Sequence, residues 1–447
     1  MSFYPSYSSK VVSTQGNKSH MSGDHISLAE TSQSLPKKRG YLRWASRLFI
    51  AILALSALPI VAQDTQPAGT FPSLSGQYAI GQTMRAITDQ SRDEIFTDDT
   101  TDKRTLAVTF YYPAELDATA QPAPYMTEVE ARAFAAVMGV PPALTQSLQP
   151  NLYNDAPVAP IEGGYPVLLF MPGLGTPVHL YTALLEQIAS HGYVVVVVDP
   201  VFSSAISFYP DGQYVTAVLA GMDVEGDAMS NLLIQSWVND ARFVLDWLDD
   251  VNISDGQLSG QLDLSRIGMF GHSFGGATAL QAAYDDPRIV AAIDMDGRLF
   301  GTVMSDALVT PFLIMSSEGE TDLSAVEVSD AQLEAQGMTR EQLEATETQN
   351  LADQMRLLTV SPTSYQLTIA GTQHNSYVSD LTFVHDLVPQ LVTDEMVGTI
   401  ASTRMLQIQN DYIVAFFDTY VKGEQSGLLT DPPNLDYPEV TFGYVGS

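Results

Sequence analysis

Short apolar runs closed by proline, glycine or aspartate alternate along the chain with segments whose apolar residues recur at helical spacing. PVLLFMP (166–172), YVVVVVD (193–199), RIGMF (266–270), IVAAIDM (289–295), PFLIMSS (311–317) and YQLTIA (365–370) are of the first kind. They are apolar on both faces, which predicts strands buried from both sides in a largely parallel sheet. An earlier strand, RTLAVTFYYP, ends near Pro113. Residues 180–190, 231–248 and 405–421 are of the second kind. The middle one places Leu233, Ile234, Trp237, Ala241, Val244, Leu245 and Leu248 on one helical stripe. A small-residue helix is expected over 277–284.

This alternation predicts one α/β domain over 105–447, a mostly parallel, doubly wound sheet with helices on both faces. Residues 63–104 read as a loose N-terminal segment. Two stretches interrupt the simple pattern. Residues 119–160 are proline-rich, with a short helix at 128–138, and residues 323–358 are acidic and helical. Both fall between sheet elements, where α/β enzymes carry lids; surface decoration is the competing reading. No internal repeat is evident.

The N-terminus differs from the rest. Seven of the 20 lysines and arginines precede residue 63, against two of the 52 acids. They stand before LFIAILALSALPIVA (48–62), shorter than the roughly 20 residues of a membrane span. A basic cluster, a short apolar core and Ala62 read as a secretory signal behind a disordered polar leader, with an uncleaved membrane anchor as the alternative. Either reading places the body outside the cytoplasm, periplasmic or extracellular.

Charge and composition narrow the functions. The formal net charge is −32, and residues 63–447 carry 50 acids against 13 bases. Such a body repels nucleic acid and anionic membrane surfaces. The chain has no cysteine, so disulfides and thiolate catalysis are excluded. There is no HExxH, no histidine cluster, no EF-hand loop and no phosphate-loop pattern, so no metal or cofactor is expected. Oligomeric state is not legible.

The candidate chemistry centres on GHSFGGAT (271–278). G-x-S-x-G alone is weak evidence, but here it lies between an apolar strand and a small-residue helix. A serine on such a turn must hold a strained backbone, and Gly271, Gly275 and Gly276 remove the side chains that would clash. Ser273 is the candidate nucleophile. It needs a base. His374, in AGTQHNS after the last apolar run, fits best. His272 adjoins the serine and reads as elbow support, His191 falls at the opposite sheet edge, and His179 and His385 read as packing or surface residues. The order Ser…Asp/Glu…His is that of the α/β-hydrolase fold. The acid has two candidate places. IDMDG offers Asp294 and Asp296, and SSEGETD offers Glu318, Glu320 and Asp322; spacing favours Asp296 only slightly. An oxyanion hole needs backbone N–H donors. Phe274, following the nucleophile, supplies one, and Leu174 in MPGLGTP (171–177) supplies the other.

Several of these stretches together resemble one family. GHSFGGAT preceded by LDLSRIGMF resembles the elbow of the plasma-type (group VII) platelet-activating factor acetylhydrolases and their bacterial relatives. TLAVTFYYP, YPVLLFMPGLG, IVAAIDMDG, PFLIMSSE and TIAGTQHNSYVSDLTF are similar to that family's early strand, oxyanion strand and loop, acid strand, following strand and histidine segment. The resemblance covers about residues 105–385. It implies Asp296 as the acid, oxyanion donors at Leu174 and Phe274, and no metal. It also implies hydrolysis of short or oxidised acyl groups at the sn-2 position of phospholipids. Pro172 and Gly297-Arg298 depart from residues common in the family.

The expected function is an exported serine hydrolase of carboxylic esters, with a small-molecule ester or phospholipid as substrate. A broad short-chain esterase or cutinase-type polyester hydrolase is the first alternative. A non-catalytic binding protein on the same scaffold is the second.

Overall fold

The computed structural model describes residues 69–218, 227–318, 339–430 and 435–446. The leader, the apolar run 48–62 and residues 319–338 of the acidic stretch lie outside them. No helix of the described residues is long and apolar enough to cross a membrane.

Ten strands form the main sheet. In chain order they are β1 (Ala79–Asp93), β2 (Lys103–Ala114), β3 (Leu152–Asn154), β4 (Tyr165–Met171), β5 (Val194–Asp199), β6 (Leu262–His272), β7 (Ile289–Met295), β8 (Phe312–Ser317), β9 (Ser364–Ile369) and β10 (Val440–Tyr444). Across the sheet the order is β10-β9-β8-β7-β6-β4-β5-β2-β1-β3. Strands β4 to β9 are mutually parallel. Strand β2 runs antiparallel to β5 and to β1, and β10 closes the far edge antiparallel to β9. This is an α/β-hydrolase fold.

The helices around the sheet include α1 (Glu128–Met138), α2 (Thr182–Ser190), α3 (Asp227–Ser254), α4 (Phe274–Asp285), α5 (Arg340–Val360), α6 (Ser379–Leu387) and α7 (Ser402–Phe417). Every residue of β4 and β5 is buried, because both faces of the sheet are covered. The pleat divides them between two cores. Leu168, Phe170, Val195 and Val197 join α2 and α7 on one side. Val167, Leu169, Val194, Val196 and Val198 meet α3 and α4 on the other. The stripe predicted on α3 is buried, with Trp237 at its centre.

The described part of the segment 63–104, residues 69–104, is not the loose stretch expected of it. Residues 79–93 form β1, paired with β2 from Ala79–Ala114 through Asp89–Arg104. Its polar residues are tolerated because they find partners. The Thr83 hydroxyl donates to Asp155 Oδ1 at 2.6 Å, and Asp89 Oδ1 accepts from the Ser91 N–H at 2.9 Å. Within 119–160, α1 spans the residues expected of it. Thr127 and Glu130 close a capping box at its start, and Gly139 ends it at φ 70°. The described part of the acidic stretch is α5. It buries Leu343, Leu357 and Leu358, and Gln354 Nε2 donates to Gly297 O at 2.9 Å, just past β7.

Candidate active site

The site gathers at the carboxyl ends of β4, β6, β7 and β9, where ligands sit in open parallel sheets. At the end of β6, Ser273 turns the chain into α4 with φ 56° and ψ −122°. That left-handed conformation is strained for any residue but glycine. The neighbourhood enforces it. The Ser273 N–H donates to Met295 O at 2.8 Å. A Cβ on Gly271 would lie 2.3 Å from the Gly275 carbonyl carbon, and one on Gly275 would lie 2.2 Å from Met171 O. Backbone therefore touches backbone, and β6, α4 and the end of β4 close around the serine.

Asp296 follows β7, also left-handed at φ 59°. Its N–H donates to Met315 O at 2.7 Å. Ser317, at the end of β8, donates its hydroxyl to Asp296 Oδ2 at 2.9 Å and its N–H to Oδ1. The carboxylate is fully buried, with Oδ2 2.9 Å from His374 Nδ1. His374 Nε2 is 3.0 Å from Ser273 Oγ. A carboxylate only accepts, so Nδ1 carries the proton and Nε2 offers a lone pair to the serine hydroxyl. This is the arrangement that lets an imidazole act as a base.

The loop after β4 borders the serine: a Cβ on Gly173 would lie 3.3 Å from Ser273 Cβ. Gly175, at φ 80°, donates its N–H to Ser203 O at 2.9 Å and accepts from Ala205 N–H at 3.1 Å. Leu174 stands between two anchored glycines, and its N–H has no acceptor among the described residues. The Phe274 N–H opens α4, in the first turn, where N–H groups lack intrahelical partners and the helix dipole favours negative charge.

The other candidates are placed elsewhere. Asp294 Oδ1 accepts the Gly297 N–H at 2.9 Å, and Glu318 Oε2 accepts the Gly371 N–H at 2.7 Å. Both brace loops that carry site residues. Glu320 and Asp322 fall outside the described residues. His179 packs its ring on Phe208, His191 Nε2 meets Ser75 Oγ at 2.9 Å, and His385 Nε2 meets Asp394 Oδ1 at 2.8 Å. Among the described residues no group of three histidine, aspartate or glutamate side chains could hold a metal ion.

The family model for platelet-activating factor acetylhydrolase, isoform II, matches residues 64–217 and 237–426. The chain belongs to that family. The two matched stretches include Leu174 in the first, and Ser273, Phe274, Asp296 and His374 in the second. A probable 1-alkyl-2-acetylglycerophosphocholine esterase of Arthroderma benhamiae is 28% identical over 284 residues, 62% of this chain and 66% of that protein. A platelet-activating factor acetylhydrolase of Cavia porcellus is 28% identical over 186 residues, 36% of this chain and 42% of its own length. The chain thus spans less than two thirds of either relative. A ferulic acid esterase structure from Streptomyces cinnamoneus superposes with a TM-score of 0.68 at 26% identity, covering 84% of this chain and 99% of that one.

Sequence reasoning missed two contacts around the site. Ser317 reads as the end of a strand, and its contact with Asp296 needs β7 and β8 to be neighbours. Tyr181 falls within the helical pattern 180–190, and its contact with His272 needs the loop after β4 to meet the end of β6.

Proposed function

We propose that the chain is a serine hydrolase of carboxylic esters. The observation that carries the reading is the hydrogen-bonded run from Ser273 through His374 to Asp296, at 3.0 Å and 2.9 Å, with the serine on a strained elbow. Ser273 Oγ attacks the acyl carbon while His374 Nε2 takes its proton. The charge that develops on the carbonyl oxygen is met by the N–H groups of Leu174 and Phe274, each such donor being worth about 3 kcal/mol in the transition state. Collapse breaks the acyl C–O bond, and His374 returns its proton to the leaving alkoxide. Water then attacks the acyl-enzyme with His374 again as base, releasing the acid and restoring Ser273. Asp296 holds the imidazole tautomer and offsets the imidazolium charge.

For the substrate we favour the short or oxidised sn-2 acyl group of a phospholipid. Family membership supports this, as does the esterase named for the Arthroderma benhamiae relative. The basic cluster and apolar run before residue 63 support a place of work outside the cytoplasm. A second reading, a broader esterase, draws on the likeness to a ferulic acid esterase over 84% of the chain.

The test is a substrate panel: nitrophenyl acetate, butyrate and octanoate, an sn-2 acetyl phospholipid, methyl ferulate and a polyester film. The phospholipid should be turned over with the highest kcat/KM. A preference for methyl ferulate or the film moves the reading to the broader esterase. No turnover of any ester contradicts the enzyme reading.

A further inference from the structure

Tyr181 and His272 touch neither the serine hydroxyl nor the acid, yet they join the two halves of the site. The Tyr181 hydroxyl accepts the Gly173 N–H at 3.0 Å and lies 2.8 Å from His272 Nδ1. His272 Nε2 lies 3.1 Å from the carbonyl oxygen of His374. For a neutral imidazole the proton placement follows. A carbonyl only accepts, so His272 Nε2 carries the hydrogen and Nδ1 is the lone pair. The Tyr181 hydroxyl must then donate to Nδ1, which leaves its oxygen lone pairs to accept the Gly173 N–H.

Both side chains are buried, with His272 1% exposed. The His272 ring lies 4.6 Å from that of His374 and stacks on Tyr377 at 6.2 Å and 17°. Burial, with the neighbouring His374, holds the His272 imidazole well below its ordinary range. The ring therefore stays neutral, which leaves Nδ1 as the acceptor for the Tyr181 hydroxyl.

We propose that Tyr181 and His272 are positioning residues that lock the oxyanion loop and the backbone of His374 into one frame. The proposal rests on the serine-hydrolase reading above. Gly173 precedes the Leu174 donor directly, and the His374 carbonyl belongs to the base. A single buried chain, Gly173 N–H to Tyr181 to His272 to His374 O, therefore sets the distance between hole and base. A displacement of about 1 Å at such a site costs on the order of a hundredfold in rate.

Tyr181→Phe keeps the ring and removes the hydroxyl. In nitrophenyl butyrate hydrolysis its kcat should fall roughly 10- to 100-fold, with KM changed by less than about threefold. His272→Phe should do the same. The double variant should be no worse than the poorer single one, because one relay can be broken only once. His272→Gln, with an amide donor for the His374 carbonyl, should recover part of the loss. Near-wild-type kcat in folded Tyr181→Phe, or losses that multiply in the double variant, would overturn the relay. Ser273→Ala in the same assay separates the two levels: if it keeps its activity, the serine-hydrolase reading fails. Should the variants not fold, the histidine nitrogen shifts of the wild-type protein decide. A neutral His272 protonated at Nε2 is expected, and an imidazolium or an Nδ1–H form would overturn the proposal.

Discussion

Asp294 Oδ1 holds the Gly297 N–H at 2.9 Å, across the turn whose next corner, Asp296, meets His374. Two aspartates on one strand end therefore have different tasks. Asp296→Asn cannot accept the Nδ1 proton in the same way and should lower kcat by about three to four orders of magnitude, with little effect on thermal stability. Asp294→Ala should lower Tm by several degrees and cost activity only through the loosened turn. Nitrophenyl butyrate kinetics beside thermal unfolding would separate the two; equal kcat losses in both variants would contradict the division.

The elbow glycines are fixed by contact. A Cβ on Gly276 would lie 1.9 Å from Asp294 Oδ1, and one on Gly297 would lie 2.3 Å from both that atom and Ser273 O. Overpacking of this kind costs about 1–3 kcal/mol or more. Gly276→Ala and Gly297→Ala should each lower Tm and depress kcat together. Gly212→Ala, at a position with open space, tests backbone strain alone and should leave kcat unchanged. Unaltered kcat in Gly276→Ala would show that the elbow is less tightly built than described.

How far the site could be read in the sequence follows from what links its parts. The strands β4 and β5 were legible because two-sided burial demands unbroken apolar runs. Ser273 was legible because the glycines around it stand next to one another in the sequence. Strand β1 was not. It lies near the sheet edge, and its polar residues are satisfied by partners such as Asp155, distant in sequence. Spacing alone left the acid open between two loops. The structure places Asp296 against His374 and Glu318 against Gly371. The contacts of Tyr181 with His272 and of Ser317 with Asp296 join residues 91 and 21 positions apart, and nothing in the local pattern marks them.

Stability should depend on pH through α2. Burial pushes Glu186, within α2, up to about 8 against two donors from Asn151, and pushes Asp380 up to about 7 although it caps the Ala183 N–H. Both folded values lie above those of an unfolded chain, near 4. Their stabilising contribution is complete at about pH 4 and is lost as pH rises through 7 to 8. Tm should therefore fall by several degrees between pH 5 and pH 8.5, and Glu186→Gln, which cannot ionise, should shrink that fall. A mutant with the wild-type slope would contradict the assignment.

The central claim is that Ser273 is the nucleophile, and covalent labelling tests it most directly. Incubation of the protein with a fluorophosphonate, followed by peptide mass spectrometry, should place one adduct on the peptide carrying Ser273. Ester hydrolysis should be lost in step with labelling, and Ser273→Ala should show neither. An adduct on another serine, or turnover that survives Ser273→Ala, would contradict the account.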